Sequence, residues 1–171
     1  MDPLTVSTVI SAPREAVFDY LEDIANHAEF TDHFLKDWHL TRIDSVGRGA
    51  GARFRVDAPL NRFGWAGVTF AEVERPHRLV EVGGTGKNNR IRTLGIWQLD
   101  PGPAGATRVS FTLQTWPAKA SDRLMESLGA RRWARRKHQR ALRRLRAILE
   151  QDPGTSSRAL RRGPRVTVAG G

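Results

Sequence analysis

Leu124, Leu128, Arg131, Arg135, His138, Leu142, Leu145 and Leu149 recur at spacings of 4, 3, 4, 3, 4, 3 and 4, which makes one continuous stripe on a helix. The stripe is leucine at both ends and polar in the middle, so Arg131, Arg135 and His138 are the groups that spacing best places to do chemistry. His138 is the best candidate for a general base, because imidazole titrates near neutral pH. Arg131 and Arg135 offer charge-assisted hydrogen bonds to a carboxylate, phosphate or enolate oxygen. Two readings stay open. The arginine stems lie along the helix flank with their heads in water and His138 is an ordinary core histidine; or the middle of the stripe lines a cavity and meets a ligand. Asp57, at the end of a predicted strand, is a more distant candidate base.

Other groupings carry less. His27, His33 and His39, with Glu29 and Asp32, are rich in metal-binding types, but a spacing of six fits neither a helical i, i+4 pair nor alternate positions of one strand, so no metal is expected. "GGTGKNN" (83–89) looks like a phosphate loop. Glu81, however, holds the required Gly position, Asn88 follows Lys87, and both flanks read as strands, so this is a hairpin turn. The chain has no cysteine, which excludes disulfides, Cys-based zinc and a Rieske cluster within it. No Ser-His-Asp order or G-x-S-x-G elbow stands out. No cofactor is expected.

The elements that must position these groups come next. "LTVSTVI" (4–10) is a β-branched strand. "SAPREAVFDYLED" reads as a helix start, with Ser11 as cap, Pro13 in the first turn and Glu15 where the helix dipole favours an acid. A second helical piece spans 24–34. Six strands are then predicted at 37–44, 51–58, 64–74, 78–84, 91–100 and 107–116, separated by Gly-, Pro- and Asn-rich turns short enough to imply antiparallel hairpins. A helix over 120–150 follows. The order implies an α+β fold: a curved seven-stranded antiparallel sheet wrapped around a long C-terminal helix, with two short helices after the first strand. Alternation turns Phe54 and Val56 inward, with Val109, Phe111, Leu113 and Thr115. Thr93, Trp97 and Leu99 share the inner face of their strand. Trp65 either lines a cavity or packs beneath it.

One domain is expected at 1–150, with a basic, disordered tail at 151–171. The formal charge is +10 over 171 residues. Residues 1–120 balance, so the whole excess lies in 121–171. Arg136, Lys137, Arg140, Arg143 and Arg144 read as a solvated outer face of the last helix, with Trp133 on or near the same side. The run lacks a helix-turn-helix partner and interleaved stacking aromatics, so no specific nucleic acid is expected. At most weak electrostatic contact with polyanions or an anionic membrane is. The N-terminus lacks a basic segment followed by an apolar one, and no stretch is long and apolar enough to span a membrane. The expectation is a soluble, cytoplasmic protein.

"TVSTVISAPREAVFDYLEDIANHAEF" resembles the opening of the SRPBCC superfamily, the START-like or Bet v 1-like helix-grip proteins. "FAEVERPHRLVEV" and "IWQLDPGPAGATRVSFTLQ" are similar to that family's middle strands and last strand pair. The resemblance covers nearly all of 4–150 and lies closest to the polyketide cyclase/dehydrase and lipid-transport-like subgroup. It implies a deep cavity between sheet and C-terminal helix, holding an apolar, aromatic or acyl small molecule. The lining expected on this basis is Phe54, Trp65, Trp97, Phe111, Leu113, Leu128, Arg131, Arg135 and His138. Two functions remain in competition, because folds of this kind host many activities: a binder or carrier of such a ligand, and a cofactor-independent cyclase or dehydratase. In the second, His138 would be the base, with Arg131 or Arg135 stabilising an enolate oxygen.

Overall fold

The structure is a computed structural model and describes residues 3–58, 64–86, 91–117 and 129–151. Strand β1 (Leu4–Ile10) leads into helix α1 (Arg14–Glu22), a 3-10 turn (Ile24–Asn26) and the short helix α2 (His27–Thr31). Strands β2 (Leu35–Leu40), β3 (Gly51–Val56), β4 (Ala66–Glu74), β5 (Arg78–Thr85), β6 (Ile91–Pro101) and β7 (Thr107–Pro117) follow, then helix α3 (Arg131–Gln151). The seven strands form one sheet in the order β1-β7-β6-β5-β4-β3-β2, every pair antiparallel. The first strand thus returns beside the last, and the hairpins between run in sequence to β2 at the far edge.

The register defines one inner face. Ala52 pairs with Val68, Val68 with Gly83, Glu81 with Gly95, Leu79 with Trp97, and Trp97 with Phe111. Each pair shares a side of the pleat. Phe54, Trp97, Leu99, Val109 and Phe111 are buried on this face, as their alternation requires. The cover is shared between helices. Helix α1 contributes Val17, Phe18 and Leu21, α2 contributes Phe30, and α3 contributes Ala141, Leu142, Leu145 and Leu149, all in one core cluster. Each large apolar side chain so buried stabilises the fold by about 1.5–3 kcal/mol.

Polar contacts latch the helices to the sheet. Glu150, near the end of α3, accepts from the backbone N–H of Ser11 at 2.8 Å. Arg75, after β4, donates to Asp19 and Glu22 on α1, and Arg144 on α3 donates to Asp32 and to the Glu29 carbonyl.

Two irregularities bear on the site. Strand β2 is bulged: Lys36 pairs with Arg55 and His39 with Arg53, so Asp37 and Trp38 together face Phe54. Asp37 adopts the left-handed backbone conformation, φ 52°, which Asp tolerates better than most residues other than glycine. A second shift lies between Phe70 and Glu72 of β4, opposite Glu81. The predicted β2 at 37–44 is therefore placed too late in the chain. The observed strand ends at Leu40, and Arg42–Asp44 are exposed.

Candidate functional site

A cavity of about 50 Å³ lies between the inner face of the sheet and helices α2 and α3. The strands supply Trp38, Phe54, Val68, Glu81, Trp97 and Phe111, α2 supplies His27, Phe30 and Thr31, and α3 supplies His138, Ala141 and Leu142. Its walls are largely rings in contact. Trp38 stacks on Phe54 at 4.8 Å and 12°. Phe111 stacks on His138 at 5.0 Å and 17° and touches Trp97 at 4.4 Å. Phe30 meets Trp97 edge-on at 6.0 Å. The bulge puts Trp38 here: in a regular β2, the inward position after Leu35 would fall to Asp37, and the extra residue turns the indole in instead.

The polar atoms of the lining fall into two groups. Some are committed: His27 Nε2 donates to the Leu21 carbonyl at 2.8 Å, Thr31 Oγ1 to the His27 carbonyl at 2.6 Å, and His138 Nδ1 to the Ala134 carbonyl at 2.9 Å. The others are not. Trp38 Nε1 is buried without a hydrogen-bond partner among the described residues. Glu81 receives a single long bond, from Trp97 Nε1 at 3.4 Å. With Nδ1 as donor, the neutral ring of His138 carries its lone pair on Nε2.

The three titratable groups are perturbed chiefly by burial. Glu81 keeps some accessible surface where it fronts the cavity, yet burial pushes its carboxyl up to about 7, the Trp97 hydrogen bond opposing only in part. Burial holds His27 and His138 down at about 4, against the smaller effect of their bonds to backbone carbonyls. Both imidazoles are therefore neutral at pH 7. Gly95 in β6 faces the Glu81 side chain so closely that a Cβ there would collide with the carboxylate. A glycine inside a strand is the usual mark of such an approach.

The structure gathers Phe54, Trp97, Phe111 and His138 at this cavity. Leu113 has the inner-face parity and packs on the core's margin without lining the cavity. Trp65 shares the outward parity of Arg53 and is exposed; its ring lies under the Arg53 guanidinium at 5.4 Å. Arg131 donates to the Pro3 carbonyl at 3.3 Å, beside the edge strand β1, and Arg135 is exposed. The first turns of α3 instead present Ala134 and His138 inward, with Trp133 against Phe34 at 6.0 Å, and this spares two guanidinium groups a costly burial. Trp133 thus leaves the outer face on which its position had placed it. Leu128, with Leu124 and the start of the predicted helix at 120, lies outside the described residues, as do 87–90 of the hairpin and 152–171 of the tail.

The histidines of the possible metal cluster separate. His27 is in the core, His33 bonds the Lys137 carbonyl at 3.1 Å, and His39 lies beside Trp65 at 5.6 Å. Glu81, Trp38 and His27 were not foreseen as lining. In "RLVEVGG" the valines alternate against Glu81, so apolar patterning alone turns the carboxylate outward; Gly95 was the signal that could have corrected it. A larger, open groove of about 1070 Å³ includes the outward positions Arg53, Thr69, Val82, Arg92, Leu94 and Trp116. The inner-face residues Ala52, Val68, Gly83 and Thr93 also border it, and Val68 is shared with the smaller cavity.

The fold recurs among solved structures. The KanY protein (ms6282), solved by NMR, is 16% identical, with 86% of this chain and 97% of that one covered at a TM-score of 0.68. TTHA0849 from Thermus thermophilus is 15% identical over 95% and 99% of the two chains, at 0.65. DynU16, a protein of the dynemicin biosynthetic locus, is 17% identical, covering 91% of this chain and 49% of that one, at 0.60. No curated protein matches. The sequence itself matches the family model for "Polyketide cyclase / dehydrase and lipid transport" over residues 1–150, which takes in every element from β1 to the penultimate residue of α3. This chain belongs to the polyketide cyclase/dehydrase and lipid transport family, within the helix-grip SRPBCC superfamily.

Proposed function

We propose that the protein binds or carries an apolar small molecule, aromatic, acyl or polyketide-like, between the inner face of the sheet and helix α3. The observation that carries this reading is the carboxyl of Glu81, held in a ring-lined cavity with no cationic side chain among the described residues of the lining. A core selected only for packing gains nothing from such a group, because burying it without good partners costs stability. A binding site gains a point of recognition. The volume of about 50 Å³ holds a water or a few, well short of the roughly 300–1,000 Å³ of a drug-sized pocket. A ligand of that size therefore requires the lining to move apart. Native mass spectrometry of freshly purified protein tests the reading. The expected result is an adduct of discrete mass that denaturation releases. A bare chain that also fails to take up any of a panel of aromatic and acyl compounds overturns it.

A second reading, a cofactor-independent cyclase or dehydratase, draws on His138, whose Nε2 lone pair is uncommitted beside the cavity. The two arginines suggested as oxyanion partners lie away from it, so the hydrogen-bond donors would be Trp38 and a protonated Glu81. With a true substrate, His138→Ala should lower kcat/KM by about 10²–10⁴-fold. The wild-type profile should hold down to about pH 5 and fall as the ring protonates near 4. An effect of less than about twofold removes His138 as the base.

A further inference from the structure

We propose that Trp38, Glu81 and His138 together recognise a single oxygen substituent, a hydroxyl or carbonyl, on an uncharged ring-bearing ligand, and that Glu81 and Trp38 set this specificity. The proposal rests on the binding reading above and assigns its polar end.

It follows from what the cavity leaves unsatisfied. His27 Nε2, Thr31 Oγ1 and His138 Nδ1 donate to backbone carbonyls and Trp97 Nε1 to Glu81, which accounts for the other side-chain donors of the lining. What remains is one donor, Trp38 Nε1, one carboxyl with a single 3.4 Å bond, and two imidazole lone pairs, on His27 Nδ1 and His138 Nε2, of which we assign the second to the ligand. Trp38, Glu81 and His138 all border the same cavity of about 50 Å³, and this shared border is why we assign them to one substituent, met when the lining parts. An oxygen with two lone pairs accepts from the indole N–H and from a protonated Glu81. If it is a hydroxyl, its own proton goes to His138 Nε2.

The alternatives fit less well. A hydrocarbon leaves all three groups unmatched, at the full cost of burying them. A carboxylate or phosphate would sit against Glu81 with no cation in the described lining. An ammonium pairs with Glu81 but gives the Trp38 N–H nothing to donate to. The flat faces needed for a ring are present in the Trp38–Phe54 and Phe111–His138 stacks. Gly95 keeps clear the space the carboxyl occupies.

Three probes of matched size separate these cases: p-cresol, p-xylene and 4-methylbenzylamine, titrated into the full chain at pH 6 and followed by NMR chemical shifts. The wild type should bind p-cresol about tenfold more tightly than p-xylene, the equivalent of one or two net hydrogen bonds. Trp38→Phe keeps the stacked ring and removes the N–H, and Glu81→Leu removes the carboxyl. Each should shrink that ratio to within about threefold while p-xylene binds as well as before. Trp38→Phe is conservative enough to decide the matter if Glu81→Leu fails to fold. Equal binding of cresol and xylene by the wild type overturns the proposal and leaves the binding reading standing. So does a preference that survives both substitutions. Tightest binding of the amine overturns it too, by making Glu81 a counter-ion. If none of the three binds, this proposal falls, and the binding reading falls with it only if native mass spectrometry also shows a bare chain that takes up no aromatic or acyl compound.

Discussion

Glu81 gives the folded state a proton that the unfolded chain releases much earlier. Its carboxyl sits at about 7 in the fold against 4.5 when exposed. Between those values the native state holds more protons than the unfolded one, so this residue's contribution to stability falls as pH rises through that window and is level above it. His27 and His138, each near 4 instead of 6.5, act in the opposite sense. The unfolded chain protonates them first, and the fold loses stability as pH falls from about 6.5 toward 4. Glu81→Gln should therefore stabilise the protein by about 1–3 kcal/mol at pH 8 and by much less at pH 5. Urea denaturation at the two pH values measures this, and a gap no larger at pH 8 than at pH 5 contradicts the placement of the carboxyl. None of it was legible from "RLVEVGG", where alternation favours Val80 and Val82 as the inward pair. His138 was legible, because a helical stripe anchored by Leu142, Leu145 and Leu149 carries its phase back one turn with little error.

At the scale of elements, the bulge in β2 decides which side chain enters the cavity. Deleting Asp37 should restore regular pairing with β3 and leave Trp38 directly opposite Phe54, on the inner face. The Asp37–Arg55 ion pair, 3.3 Å long and exposed at both ends, contributes little to stability, so the deletion should cost little. The variant should keep the cresol-over-xylene preference and an unshifted Trp emission. A red-shifted emission with loss of the preference would mean that β2 slips along β3 instead of closing the bulge. The run of antiparallel hairpins, the helix pair and the inner face of β7 could be read from periodicity and turn chemistry, since Val109, Phe111 and Leu113 alternate without interruption. The bulge could not, because "LKDWHL" contains no glycine to announce it and a one-residue slip exchanges the two faces. The first turns of α3 were misjudged for a related reason. A stripe of fixed spacing says which residues share a face but not how long the sheet continues beneath them, and here Arg131 ends beside the edge strand.

Taken whole, the molecule is electrically lopsided, with a balanced body and a formal excess of +10 confined to residues 121–171. Arg132, Arg135, Arg136, Arg140, Arg143 and Arg146 are exposed along α3. Such a face attracts any polyanion by counter-ion release, without reading sequence. Binding to DNA or acidic vesicles should be measurable at low ionic strength and fade toward physiological salt, where screening shortens to about 8 Å. Truncation after residue 151 should weaken it without lowering the melting temperature. Tight, sequence-selective binding at physiological salt would require α3 to be a recognition helix. The cavity, at about 50 Å³, has a consequence of a different kind. A site closed around so little space admits a ring only in the moments when its lining is apart, and that opening sets the pace of entry. In a stopped-flow experiment the observed rate should climb with ligand concentration and then level off at one ceiling shared by ligands of different affinity. A rate that rises linearly throughout would mean the cavity already stands open. With the ceiling, the protein is a slow gate, well suited to holding a reactive or poorly soluble molecule for longer than its affinity alone implies.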